Sequence, residues 1–186
     1  MIYPMNNDLC QSYVLALKSS SVKKWFLKDD IKTEGCIGRG SYGKVYRVMR
    51  RGKVMTALAK KVTVGEGRTL CNDFVREFCI LNKLSRSMKP RDRLIVLVGV
   101  EIIKDVAGVW RTALFTPLFE NGNLDTYLRH IGNNLLKKDL QVMVRDILLI
   151  LEQLRAAKII HRDIKAGNIV VSKNHRLILI DFGSAV

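Results

Sequence analysis

The sequence is short of the features that keep a chain from folding. It has three prolines in 186 residues and no Ser-, Gly- or Gln-rich tract dividing one part from another. With 48% hydrophobic residues it can bury a core, so a folded chain is expected and not a disordered one. No apolar run approaches the ~20 residues that a membrane-spanning helix needs. The opening "MIYPMNNDLCQSYVLALKSS" has neither a basic start nor a cleavage signal. No secretory leader is therefore expected, and the expected location is intracellular, in cytoplasm or nucleus. Cysteine is sparse too: Cys10, Cys36, Cys71 and Cys79 form no C-x-x-C pair and have no histidine at metal-ligand spacing. Free thiols in a reducing compartment are the expectation. Acidic residues are also few, 17 against 32 Lys and Arg, so the chain carries +15 and attracts polyanions. The basic residues are scattered ("VKKW", "MRRGK", "SRSMKPRDR", "LKKD") without interleaved aromatics, which argues against a dedicated nucleic-acid groove.

The length allows one ordinary domain, or two small lobes sharing a cleft. Residues 9–28 hold a candidate amphipathic helix. Three strands follow, Ile31–Ile37, Lys44–Met49 and Val54–Val64, the first two joined by a glycine-rich turn and the last two by "RRGK". Apolar residues at 74, 75, 78, 81 and 84 give Asn72–Leu84 the face of a helix, and Asn72-Asp73 suits its N-cap. "LIVLVGVEII" (94–103) and "GVWRTALFTPLF" (108–119) read as two more strands. From about Asn121 the texture becomes helical, with Leu124–Ile131 short and Lys138–Ala157 long, before "IVVS" and "LILI" return to strands around "KNHR". A sheet lobe followed by a helical lobe implies a cleft between them.

Chemistry-bearing residues cluster in three places. "IGRGSYGKV" (Ile37–Val45) spaces glycines as G-x-G-x-x-G-x-V, and glycine lets a backbone lie flat against phosphates. Dinucleotide-binding turns share this spacing but open a helix. Here the alternating strand "KVYRVM" follows, so the segment reads as a flap. A fixed positive charge comes from "ALAKKV", where strand alternation points only one of Lys60 and Lys61 into the cleft. Lys61 is favoured because Ala59, its neighbour on the same face, leaves room for a base where Leu58 would crowd it. Glu77 on the next helix, beside Phe74 and Phe78, can hold that lysine. At the end of the chain, Asp163 can accept or orient the proton of an attacking hydroxyl, and Lys165 can neutralise a transferring phosphoryl group. Asn168 and Asp181, brought to one edge by the terminal hairpin, offer oxygens to a hard cation such as Mg2+. These are the parts of metal-assisted phosphoryl transfer. His161 reads as a packed structural histidine.

"GRGSYGKV", "AKK", "REFCIL", "ENGNLDTYL", "HRDIKAGN" and "DFG" also stand in the order found in eukaryotic-type protein kinases, which this sequence resembles over residues 31–186. The resemblance implies an α+β bilobal fold. A five-stranded antiparallel N-lobe with one helix (31–116), a hinge (117–121) and a mainly helical partial C-lobe (122–186) would follow a helical extension at 1–30. It implies ATP and Mg2+ as cofactors. Ile37, Gly38, Arg39, Gly40, Ser41, Tyr42, Gly43, Lys44 and Val45 then correspond to the nucleotide flap. Lys61 (or Lys60) corresponds to the phosphate lysine and Glu77 to its helix partner. Thr116 takes the gatekeeper position, and Pro117 and Phe119 take the adenine edge. A proline there still offers its carbonyl. By the same resemblance Asp163 is the catalytic base, Lys165 its neighbour in a serine/threonine-type "DIKAGN", and Asn168 and Asp181 the metal ligands.

The chain differs from the family in its doubled lysine, in extra residues around "SRSMKPRDR", and in stopping after "DFGSAV", ahead of the activation segment and A-P-E element. Two functions are therefore expected in competition. One is an ATP-dependent serine/threonine protein kinase, with this chain a fragment or short form of it. The alternative is a non-catalytic kinase-like module that binds nucleotide, or a partner protein covering the truncated lobe. The divergent hinge and N-lobe fit a virus-encoded or a fast-evolving kinase, the former acting in a host cell.

Overall fold

The computed structural model describes residues 31–40, 43–50, 56–64, 72–87, 93–104, 106 and 109–186. The candidate helix at 9–28 lies outside them. Five strands form one antiparallel sheet: β1 (Ile31–Gly40), β2 (Gly43–Arg50), β3 (Thr56–Val64), β4 (Gly99–Lys104) and β5 (Trp110–Pro117), in the order β1-β2-β3-β5-β4. Helix α1 (Asn72–Ser87) connects β3 to β4. The second part holds α2 (Leu124–Ile131), α3 (Lys137–Ala157) and a hairpin of β6 (Ile169–Val171) with β7 (Leu177–Leu179). This is the α+β arrangement of a sheet lobe and a helical lobe.

Each element follows from its pattern. In α1, Phe74, Phe78, Leu81 and Leu84 are buried, the i, i+4, i+7 spacing that turns one face of a helix inward. In α3 the buried positions are Met143, Asp146, Ile150 and Leu154, and the helix stops where Lys158 turns left-handed and donates its N–H to Leu154 and Arg155 carbonyls. Apart from Asp146, these side chains meet in one cluster with Leu94, Ile95, Val171, Leu177, Leu179 and Phe182, so a single core joins α1 to α3 and the hairpin. A smaller cluster of Val48, Leu58, Ala113 and Phe115 occupies the other face of the sheet.

Three expectations need correction. β1 runs on to Gly40 instead of stopping at Ile37, because its ladder with β2 continues to the pair Gly40–Gly43. The run 94–103 is not one strand: β4 begins only at Gly99. Ahead of it, the Arg93 carbonyl accepts from Leu179 N–H at 2.8 Å and Ile95 N–H donates to the Leu179 carbonyl at 2.9 Å. An unbroken apolar run suits burial in either sheet, and here its backbone partners are split between two. Finally, Cys79 is disulfide-bonded, whereas Cys36 is a free thiol. Linear spacing does not report which sulfurs the fold brings within bonding range.

Because Ile150 is 1% exposed in the joint core and Leu148 on the same helix is 62% exposed, they predict different costs. Ile150→Ala should lower unfolding free energy by about 2–5 kcal/mol. Leu148→Ala should change it by under about 0.5 kcal/mol. Urea denaturation of both variants checks this.

Candidate active site

Strand alternation decides which lysine enters the cleft. In β3, Lys61 pairs across to Val45 and Leu114, while Lys60 pairs to Tyr46 and Phe115 on the opposite face. Lys61 Nζ lies 2.7 Å from Glu77 Oε2 and 2.7 Å from Asp181 Oδ1. Lys60 instead bonds Glu101 Oε2 at 2.6 Å and lies over the Phe115 ring, away from the cleft. Burial alone would lower the Lys61 pKa. The charges of Glu77 and Asp181 outweigh it and hold the ammonium above its ordinary value. The Glu77 carboxyl is pushed up by burial and by Asp181 nearby, with Lys61 opposing.

A cavity of about 490 Å³ opens around this lysine. From the glycine segment, Ile37, Gly38, Gly43 and Val45 line it. Arg39 and Lys44 pair with each other across the β1–β2 ladder, both exposed, and are not among the cavity residues. Gly40 pairs with Gly43 at the end of that ladder, and Ser41 and Tyr42 lie outside the described residues. At Gly43 the backbone demands glycine: φ is +134°, and a Cβ would lie 2.2 Å from the Val62 carbonyl oxygen. Thr116, Pro117 and Phe119 form one wall, and Ala59 stands beside Lys61 as strand alternation requires. Leu81, Ile95, Leu114 and Ile180 also line the cavity. Sequence pattern places them on a helix face and in strands without marking them as site residues, since an apolar residue at a pocket wall carries the same pattern as one packed inside.

Across the cavity, "HRDIKAGN" forms a tight loop. Asn168 Nδ2 donates to Asp163 Oδ2 at 2.8 Å and to the Asp163 carbonyl at 2.9 Å. Lys165 Nζ lies 2.8 Å from the same Oδ2. Lys165, then Asn168, hold the Asp163 carboxyl below its usual range, so it stays an ionised proton acceptor at neutral pH. Because Asn168 spends its amide nitrogen on Asp163, its oxygen is the atom it can offer to a cation. Asp181 sits in the left-handed region at φ 63°, unusual without glycine, and Ile180 N–H donates to the Asn168 carbonyl at 2.9 Å. That bond ties the two candidate ligands together. Two oxygen ligands suit Mg2+, which keeps waters and phosphate oxygens in the rest of its shell.

His161 is 2% exposed and stacks edge-on against Phe182 at 4.9 Å between ring centroids. Its Nε2 lies 3.1 Å from the Ile180 carbonyl, while its Nδ1 accepts from Asp163 N–H at 3.3 Å. That pattern needs one proton, on Nε2: it is a structural histidine with a fixed neutral tautomer.

A sheet lobe with an ion-paired lysine, facing a loop that presents a carboxylate, a lysine and an amide, defines a protein-kinase-like bilobal catalytic fold. Residues 31–186 match the protein kinase domain family, and the chain belongs to it. It is 30% identical over 169 residues to a dual serine/threonine and tyrosine protein kinase of Strongylocentrotus purpuratus, covering 91% of this chain and 17% of that protein. It is 28% identical over 149 residues to human serine/threonine-protein kinase 10, covering 80% of this chain and 14% of that protein. With human tyrosine-protein kinase TXK it shares 30% identity over 189 residues, 97% of this chain and 32% of the other. The chain thus spans less than a third of the length of these relatives. No helix among the described residues is long and apolar enough to cross a membrane.

The His161 geometry makes a pH prediction. Burial lowers its folded pKa below the ordinary 6.5, so the unfolded chain binds a proton that the folded one resists. Its contribution is full above pH 6.5 and is lost as pH falls through the lower folded value. The stability difference between the native chain and His161→Gln should therefore narrow from pH 7.5 to pH 5, as read by thermal melts. A constant difference contradicts the assignment.

Proposed function

We propose that this chain carries the nucleotide site and catalytic loop of an ATP-dependent serine/threonine protein kinase. The observation that carries the reading is Lys61, bonded at 2.7 Å to both Glu77 and Asp181 within a cavity that Asp163 and Asn168 also line. In this reading Lys61 holds the α- and β-phosphates, with Glu77 fixing its position. Gly38 and Gly43 let the flap approach the phosphates, and Thr116, Pro117 and Phe119, which line the same cavity, take the adenine edge. Asn168 and Asp181 supply oxygens to Mg2+, which when bound neutralises charge on the phosphates. Asp163 accepts the proton of the substrate hydroxyl as its oxygen bonds to the γ-phosphorus and the bond from that phosphorus to the β–γ bridging oxygen breaks. Lys165, 2.8 Å from Asp163, balances negative charge on the group in transit.

Serine or threonine as acceptor rests on the lysine of "DIKAGN". The relatives include kinases named for serine/threonine, for tyrosine and for both.

The test is incubation of the chain with Mg2+, labelled ATP and a mixed Ser/Thr/Tyr protein substrate. Label should appear on serine and threonine, and Asp163→Asn should slow its appearance by about 10²–10⁴-fold with little change in ATP affinity. Label on tyrosine alone refutes the acceptor class. Mg2+-dependent ATP binding without transfer favours the binding-module alternative, and no ATP binding refutes the site.

A further inference from the structure

Asp146 lies on α3, outside the cavity, and its side chain is 0% exposed. Burying a carboxylate is strongly unfavourable unless it is paired. This one is paired on every side. Arg93 Nε donates to Oδ1 at 3.0 Å, Arg176 Nη2 to Oδ1 at 2.5 Å, Arg176 Nε to Oδ2 at 2.9 Å, and Leu177 N–H to Oδ2 at 2.9 Å. Burial would raise the carboxyl pKa, but the bonds from Arg176, Leu177 and Arg93 outweigh it and hold it low.

The donors belong to two stretches that lie side by side. Arg93 stands at the head of the stretch that leads into β4, the next described stretch after α1, the helix of Glu77. Arg176 precedes and Leu177 begins β7, the strand that ends two residues before Asp181. The two stretches are parallel neighbours at Leu94 and Leu179, closed by the backbone bonds of Arg93 and Ile95 to Leu179. The Arg93 N–H is held in turn by Gln153 Oε1 at 2.8 Å, again from α3. A slip of one residue in this pairing would carry Asp181 about 3.3 Å along the strand. That exceeds its whole 2.7 Å distance from Lys61.

We propose that Asp146 is a positioning residue for Asp181: by binding Arg93 and Arg176 at once, it fixes the register between the stretch ahead of β4 and the stretch that leads through β7 to Asp181. Apolar packing of equal volume would hold these surfaces together without choosing a register. A carboxylate with directed bonds to both stretches chooses one. The role of Asp181 toward a cation rests on the function proposed above.

The test compares the native chain with Asp146→Asn, which keeps the shape and removes the charge, and with Arg93→Gln, which cuts one link and keeps the Arg176 pair. Hydrogen exchange of the Ile95 and Leu179 amides is read against that of Ile150, well below the melting temperature. Both variants should speed Ile95 and Leu179 at least tenfold relative to Ile150. They should also reduce the Mg2+-dependent gain in ADP affinity at least tenfold while leaving Mg2+-free affinity unchanged. Exchange that stays native, or rises equally at Ile150, overturns the proposal, because Asp146 then contributes only stability. Local opening with an unchanged Mg2+ gain overturns it as well. If the native chain binds no nucleotide, the nucleotide reading fails, and the exchange comparison alone decides whether Asp146 sets the register.

Discussion

One ammonium group shared by two carboxylates organises this molecule. Lys61 is 17% exposed and Glu77 6%, so neither charge can be left alone. Removing one partner of such a buried pair typically costs about 3–5 kcal/mol, because the other remains unpaired in a poorly hydrated place. The pairing therefore constrains three elements together. β3 must turn Lys61 inward, α1 must present Glu77 on the face that also buries Phe74 and Phe78, and the stretch after β7 must bring in Asp181. The joint core under α1, α3 and the hairpin is the apolar counterpart of that constraint. Its burial holds the three elements close enough for the ions to meet.

Hydrogen bonds lace the "HRDIKAGN" loop to residues 180–186. Ile160 and Val186 exchange two of them, each 2.9 Å long. His161 donates to the Ile180 carbonyl, and Arg162 Nε donates to the Ser184 carbonyl. Arg162 and Asp181 both take left-handed backbone, at φ 66° and 63°. Conformations of this kind outside glycine persist only where the surroundings over-determine them. Here the surroundings do: the two strained residues sit in stretches bonded to each other, and hydrogen bonds link Asp163 to Asn168 and Asn168 to the residue before Asp181.

Much of this was legible in the sequence because period and spacing are local. Strand alternation put Ala59 and Lys61 on one face and Lys60 on the other. The 3.6-residue period of α1 set Glu77 beside its buried phenylalanines. The glycines announced a backbone needing φ values that only glycine tolerates, as Gly43 shows. What depended on strand order was not legible. The partner of Lys60 is Glu101, two strands away across β5, and nothing in the run "LIVLVGVEII" tells that it divides between two sheets. Asp146 was the least visible of all. On an amphipathic helix a carboxylate reads as solvated, and only the meeting of Arg93 with Arg176, 83 residues apart by their numbers, makes it a buried one.

The central claim is that Lys61, oriented by Glu77, is the phosphate-binding charge of the site. A double-mutant cycle on Mg2+–ADP affinity, with Lys61→Met, Glu77→Gln and the pair combined, tests it most directly. The account predicts that each single change weakens binding and that Glu77→Gln adds little once Lys61 is gone, with Lys60→Met close to native. Additive losses from Lys61 and Glu77, or a Lys60→Met loss as large as that of Lys61→Met, would contradict it.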